Sequence, residues 1–207
     1  MSPARSATRN ARRPTRSLAR RRRWGWLAVA ALLGIGLAIG ISRIDVEKAI
    51  RELTLPLQHD DIIRQQATEK NLDPAMIAAV IYAESRFRDQ ESHAGALGLM
   101  QITPETAHVI ERLSGGTTFV TSDLSDPEIN IRYGSYYLRY LLDHYEENEV
   151  AALGAYNAGV GNVDRWGGSD LALSDIGFPE TRAYVEEVLD KQQAYRDAYA
   201  DDLGLGN

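Results

Sequence analysis

The sequence predicts an all-α fold, a helical domain preceded by a single N-terminal transmembrane helix or signal segment. Three observations support this. Apolar residues recur at helical spacing in stretches that open on Asp73–Pro74, Thr103–Pro104 and Asp126–Pro127, where the first residue suits the N-cap and proline the first helical position. No stretch alternates with the period of two that a half-buried strand requires. Residues 24–41, WGWLAVAALLGIGLAIGI, are 18 uncharged and mostly apolar positions. As a helix they would cover about 27 Å, close to the thickness of a hydrocarbon core.

The formal charge of -6 conceals two opposite parts. Residues 1–23 hold nine arginines and no acidic residue, and the rest of the chain carries 14 basic against 29 acidic residues. A dense positive flank stays on the cytoplasmic side of a membrane segment, so everything after Ser42 is expected to be exported. Ala38–Ile39–Gly40 offers small residues for cleavage after Gly40, which leaves retained anchor and cleaved signal as alternatives. The acidic remainder argues against nucleic acid as a partner.

The segments divide into a basic flank 1–23, a membrane or signal segment 24–41, an approach segment 42–59, a helical domain 60–200 and a tail 201–207 that is expected to fray. In the approach segment SRIDVEKAIREL reads as partly helical, and Leu53–Pro56 ends it. Asp60 or Asp61 caps a helix to Lys70 with Ile62 and Ile63 inward, and Asn71–Leu72 make the turn. The next helix, 74–86, places Glu84 in register with Ile77, Val80 and Ile81, hence on the apolar face. Gly95 and Gly98 suit a tight loop before a helix over 104–112, which Ser114–Gly116 breaks. A long helix runs from Pro127 to about Tyr145, where Gly134 suits a close helix crossing. A short helix of small residues covers 149–158, Val163–Trp166 adds one turn, and a last helix spans about 180–199.

The absence of cysteine excludes a disulfide framework, a thiolate nucleophile and thiolate-ligated metal, and four histidines leave little for an imidazole metal site. Glu84 is the informative residue. A carboxyl on an apolar helix face is rare unless paired or functional. Desolvation raises its pKa and keeps a proton available near neutral pH.

Several ordered blocks then carry a family resemblance: Glu84-Ser85-Arg86-Phe87, Ser92 through Pro104, Asn130-Ile131 with Gly134, Tyr137 and Leu138, Ala155-Tyr156-Asn157-Ala158-Gly159, and Glu180-Thr181 with Tyr184-Val185. Over about residues 53–190 the chain resembles the catalytic domain of the soluble lytic transglycosylases, the goose-type-lysozyme-like group that cleaves bacterial peptidoglycan (murein). The resemblance implies a lysozyme-like fold, with Glu84 as the one catalytic acid and then base. It implies that Ser92, Met100, Gln101, Tyr156, Asn157, Glu180 and Tyr184 serve the substrate cleft. Ser85, Phe87, Gly95, Gly98, Pro104 and Gly159 are its structural motif residues. Arg86 and Arg182 are candidates for stem-peptide carboxylates, with surface ion pairing as the plainer reading.

The implied reaction cleaves the bond between N-acetylmuramic acid and N-acetylglucosamine and leaves 1,6-anhydromuramyl ends, a lyase-like step with no cofactor and no metal. The alternatives are a goose-type muramidase that uses water on the same bond, and a non-catalytic peptidoglycan-binding or assembly protein. The expected partners are peptidoglycan glycan strands, the membrane through the N-terminal segment, and cell-wall synthesis or secretion machinery near it. The expected location is membrane-anchored with the domain on the periplasmic or extracellular face, or secreted after cleavage.

Overall fold

The computed structural model describes residues 46–115 and 120–206. The chain divides into two units, Met1–Ala49 and Ile50–Asn207. Of the first, only the opening residues of helix α1, Val46–Thr54, are described. The second holds α2 (Asp60–Lys70), α3 (Pro74–Ser85), α4 (Pro104–Ser114), α5 (Pro127–His144), α6 (Glu149–Ala158), α7 (Val160–Trp166) and α8 (Pro179–Ala198), with short 3-10 turns at Thr121–Ser125, Gly168–Asp170 and Leu173–Asp175. Among the described residues the only β pairing is the two isolated bridges Glu91–Leu97 and Leu97–Ile102. The all-α, lysozyme-like helical domain therefore stands.

The membrane part of the expectation is corrected. No helix among the described residues is long and apolar enough to cross a membrane. The transmembrane helix or signal-anchor expected at 24–41 lies outside the described residues. Among the described residues the fold is the helical domain. Nothing among the described residues supports the membrane as partner, the membrane-anchored location or the machinery inferred from it.

Helix α3 is the centre of the domain. Asp73 accepts a hydrogen bond from the Ala75 N–H at 2.9 Å and Pro74 fills the first helical position, the start that the sequence predicted. Ala75 to Ile81 are all 2% exposed or less, so the helix is buried on every side rather than along one stripe. Its main partner is α8. Asp73 fixes the pair twice more, accepting from Gln192 Nε2 at 2.8 Å and pairing with Arg196. At the same C-terminal end of α8 the Tyr195 and Tyr199 hydroxyls donate to the Pro56 and Leu55 carbonyls at 2.6 and 2.8 Å, which holds the segment before α2 against the core.

Other differences have local causes. Asp60 is the first residue of α2 rather than its cap, because His59 takes the cap position in the left-handed region. Gly134 admits a loop rather than a crossing helix: a Cβ there would meet the Met100 sulfur at 2.4 Å. Helix α7 starts at Val160, directly after Gly159, and not at Val163. The following loop is ordered by Asn148, which caps α6 and donates through Nδ2 to the Ser169 and Leu171 carbonyls at 2.8 and 3.1 Å. The tail is tied down where fraying was expected, with Leu203 2% exposed and the Leu205 N–H on the Ala200 carbonyl at 2.7 Å.

Candidate active site

Helix α3 ends abruptly at the acid. Ser85 is buried, and its hydroxyl donates to the Ile81 and Leu99 carbonyls at 3.1 and 2.8 Å, joining the helix end to the loop that follows. Arg86 and Phe87 then both take positive φ (55° and 58°), which reverses the chain within two residues. The Phe87 ring is buried against Tyr195. Arg86 closes the turn outward, paired with Glu187 at 2.7 Å and lying 4.0 Å over the Tyr82 ring.

The loop 88–103 is held by one buried side chain. Asn130 of α5 is fully buried and donates to the Leu97 and Leu124 carbonyls at 2.8 and 2.9 Å while accepting from the Met100 N–H at 2.8 Å. Gly98 passes directly over it. With φ +75° and a Cβ that would stand 2.2 Å from Asn130 Nδ2, no other residue fits there. Gly95 also takes positive φ but faces open space. The Ser92 hydroxyl accepts from the Ala96 N–H at 3.0 Å, and Gln101, itself at φ +47°, donates to the Gln90 and Gly98 carbonyls at 3.0 and 2.8 Å. Thr103 caps α4 through the Thr106 N–H at 3.1 Å, with Pro104 in the first helical position.

These elements form a cleft of about 270 Å³ lined by Glu84, Ser92, Gln101, Tyr137, Tyr156 and Asn157, with Thr103 and Thr106 along one wall. Burial drives the Glu84 carboxyl from 4.5 up to about 7, and Tyr184 opposes the rise. The Tyr184 hydroxyl is buried without a partner at strict hydrogen-bond geometry, yet it faces Glu84 closely enough to favour the charged carboxylate. The Tyr156 hydroxyl donates to the Met100 carbonyl at 2.9 Å, and burial holds it well above its ordinary pKa, so it stays a neutral phenol. Its ring lies 5.7 Å from that of Tyr137.

The structure brings Glu84, Ser92, Gln101, Tyr156 and Asn157 to one cleft and sets the remaining candidates behind or beside it. Met100 is fully buried, packed over Gly134 and hydrogen-bonded through its backbone. Asn157 lines the cleft and also accepts from the Thr181 hydroxyl at 2.8 Å, tying α6 to α8. Glu180 is exposed in the first turn of α8 and is not among the lining residues. Gly159 joins α6 to α7 at φ +86°. Asp89 and Glu91 are exposed and outside the lining, so neither faces Glu84 as a second carboxylate. Arg182 is taken up by the Ser174 and Ile176 carbonyls at 3.0 and 2.8 Å. Sequence reasoning missed Thr103 and Thr106 as wall residues and gave Tyr137 no place in the cleft. The signal for the first two was their spacing of three on one helix face beside the glycine loop.

Comparison with known proteins shows the family of the chain. Residues 61–177, more than half of the chain, match the transglycosylase SLT domain. The soluble lytic murein transglycosylase of Escherichia coli strain K12 is 34% identical over 154 residues, which are 70% of this chain and 24% of that protein. The structure of the 70 kDa soluble lytic transglycosylase from Escherichia coli superimposes with a TM-score of 0.67 at 32% identity, over 75% of this chain and 27% of that one. An inactive mutant of the lytic transglycosylase Slt from Pseudomonas aeruginosa gives a TM-score of 0.66 at 34% identity, over 71% and 25%. The chain thus spans about a quarter of the length of the curated relative and of these two solved structures.

Proposed function

The chain belongs to the transglycosylase SLT-domain family, and on that premise we propose that it is an enzyme that cleaves peptidoglycan glycan strands between N-acetylmuramic acid and N-acetylglucosamine, leaving 1,6-anhydromuramyl ends. The observation that carries the reading is Glu84, the one carboxyl among the described residues that line the cleft, with burial raising its pKa to about 7. Such a group holds its proton in the neutral range and can still release it, as an acid that must become a base requires.

In the first step the Glu84 carboxyl gives its proton to the glycosidic oxygen, and the bond from that oxygen to the muramyl anomeric carbon breaks. The positive character left on that carbon needs a partner. Glycosidases in general supply a second carboxylate. Among the described residues the cleft offers none, and the carbonyl oxygen of the sugar's own 2-acetamido group takes that role. In the second step Glu84, now a carboxylate, removes the proton of the muramyl 6-hydroxyl while its oxygen bonds to the anomeric carbon. The proton returns to Glu84 and water is neither added nor lost.

The other cleft residues are assigned supporting roles. Ser92 and Gln101 present polar groups along the wall that the glycine loop builds, and Tyr156 and Tyr137 offer ring faces to sugar. The Tyr156 hydroxyl is engaged by Met100 O as a donor, so toward substrate it acts as an acceptor. Met100 fills the floor and excludes water behind the wall. Tyr184 tunes Glu84 from behind.

Mass spectrometry of fragments released from purified peptidoglycan tests this directly. The reading predicts muropeptides one water lighter than the hydrolytic products. Fragments with an ordinary reducing end would make the chain a muramidase, and binding without release would make it a glycan-binding protein.

A further inference from the structure

Thr181 is the third residue of α8, is 1% exposed, and is not among the residues that line the cleft. Its hydroxyl has one proton to give. A threonine inside a helix can pass that proton to a carbonyl three or four residues earlier. For Thr181 those residues are Gly177 and Phe178, which precede the helix, and the Phe178 carbonyl accepts the Arg182 N–H at 3.0 Å. The hydroxyl turns to α6 instead and donates to Asn157 Oδ1 at 2.8 Å.

This one bond decides how the Asn157 amide faces. The two ends of an asparagine amide have nearly the same shape, so the surrounding hydrogen bonds set which end points where. With the amide reversed, Nδ2 would donate to Thr181 Oγ1, and the hydroxyl proton would have no acceptor among the described residues. A donor left unmatched at 1% exposure is costly. The amide oxygen is therefore held on Thr181. Asn157 is exposed and lines the cleft, and its Nδ2 makes no hydrogen bond with another described residue. Two N–H donors are left for a ligand. Gln101 is the converse, because its Nε2 is spent on the Gln90 and Gly98 carbonyls and its oxygen is the end left over. Tyr156 has likewise given its proton to the Met100 carbonyl. The cleft thus offers acceptors at Gln101 and Tyr156 and fixed donors at Asn157, a set that suits N-acetyl groups, each with one N–H and one carbonyl.

We propose that Thr181 is a positioning residue for glycan binding: its buried hydroxyl holds Asn157 with the amide N–H groups toward the cleft, where they donate to the N-acetyl carbonyl of a bound sugar. The proposal rests on the cleft being the place of glycan cleavage. The carbonyl belongs to a sugar next to the muramyl unit that reacts, because the reacting unit needs its own acetamido oxygen free to reach the anomeric carbon. Thr181 touches no sugar and acts through Asn157 alone.

The test compares the 207-residue chain with Thr181→Val, which keeps the shape and removes the hydroxyl, and with Thr181→Ser, which keeps the hydroxyl. Thr181→Ala removes the hydroxyl a second way, so the comparison does not depend on how valine packs. The probe is a tetramer of N-acetylglucosamine, followed by nitrogen–proton NMR of the side-chain amides, with Asn157→Ala to assign the signal. In the parent the Asn157 Nδ2 protons should move downfield as the tetramer binds. In Thr181→Val that movement should be lost and the tetramer should bind about three- to tenfold more weakly, the worth of one neutral hydrogen bond, and Thr181→Ser should restore both. A fully deacetylated tetramer should bind the parent and Thr181→Val alike. On peptidoglycan KM should rise by the same factor in Thr181→Val with kcat kept. An Asn157 signal that the tetramer leaves unmoved in the parent overturns the proposal, and so does a deacetylated tetramer that loses as much affinity as the acetylated one. Lower thermal stability in Thr181→Val, with KM and the Asn157 response unchanged, would make the bond a tie between helices and no more, and also overturns it. Failure of the parent to cleave peptidoglycan while the tetramer still moves the Asn157 signal contradicts the proposed function and leaves the positioning role in place.

Discussion

Glu84→Gln is expected to lower glycan cleavage by about 10³–10⁴-fold, since it removes the one group placed to move protons in both steps. The same change should stabilise the fold at alkaline pH. Between 4.5, the ordinary value, and about 7, the folded chain keeps a proton on Glu84 that the unfolded chain has released. Stability linked to that proton is therefore present at low pH and lost as pH rises through about 7. Glutamine is never charged and escapes that loss. Thermal unfolding should show the variant near the parent at pH 4 and more stable by about 1–3 kcal/mol at pH 8. A variant that loses activity and stability together at pH 8 would mean that Glu84 is a structural carboxylate.

Asn130→Ala is expected to be the most damaging change away from the acid. It leaves the Leu124 carbonyl and the Met100 N–H without their Asn130 partner in a buried place, while the Leu97 carbonyl keeps the Ile102 N–H at 3.0 Å. A buried polar group stripped of its partner costs about 1–3 kcal/mol, so a loss of about 2–4 kcal/mol is expected for the two. Cleavage should fall as well, because the loop between Gly98 and Gln101 shapes the cleft wall. Asn130→Asp separates hydrogen bonding from volume. It keeps the acceptor for Met100 but turns a carboxylate oxygen toward two carbonyls, and it should not rescue stability in chemical denaturation. A near-native Asn130→Asp protein would show that the donors of Asn130 do not hold the loop.

What could be read from the sequence was mostly local. Asp73, Thr103 and Asp126 cap helices where the sequence placed caps, because the capping bond spans two or three residues and leaves its mark in the Asp–Pro or Thr–Pro pair. Glu84 was legible because a carboxyl in an apolar run contradicts its surroundings. That α3 is buried all round was less visible, since alanines at Ala75, Ala78 and Ala79 read as neutral while they let α8 approach. The role of Asn130 depends on a loop 30 residues away, and nothing near it in sequence announces that. The positive φ angles at Arg86, Phe87 and Gln101 fall on residues with no preference for that conformation, so tertiary contacts decide them. Ser92, Gln101, Tyr156 and Asn157 line the cleft, whereas Glu180 stays outside and Met100 lies beneath it. The tail escaped expectation because one leucine, Leu203, is enough to anchor it.

The central claim is that one carboxyl, kept protonated near neutrality by burial, serves as both acid and base. Its most direct test is a titration of Glu84 itself, by carbon NMR of the chain with labelled glutamate, using Glu84→Gln to assign the signal. The account predicts a midpoint at about 7, moved higher in Tyr184→Phe because the tyrosine hydroxyl favours the charged form. A midpoint at the ordinary 4.5, unmoved by that substitution, would mean a solvated carboxylate with no proton to give, and would contradict the account.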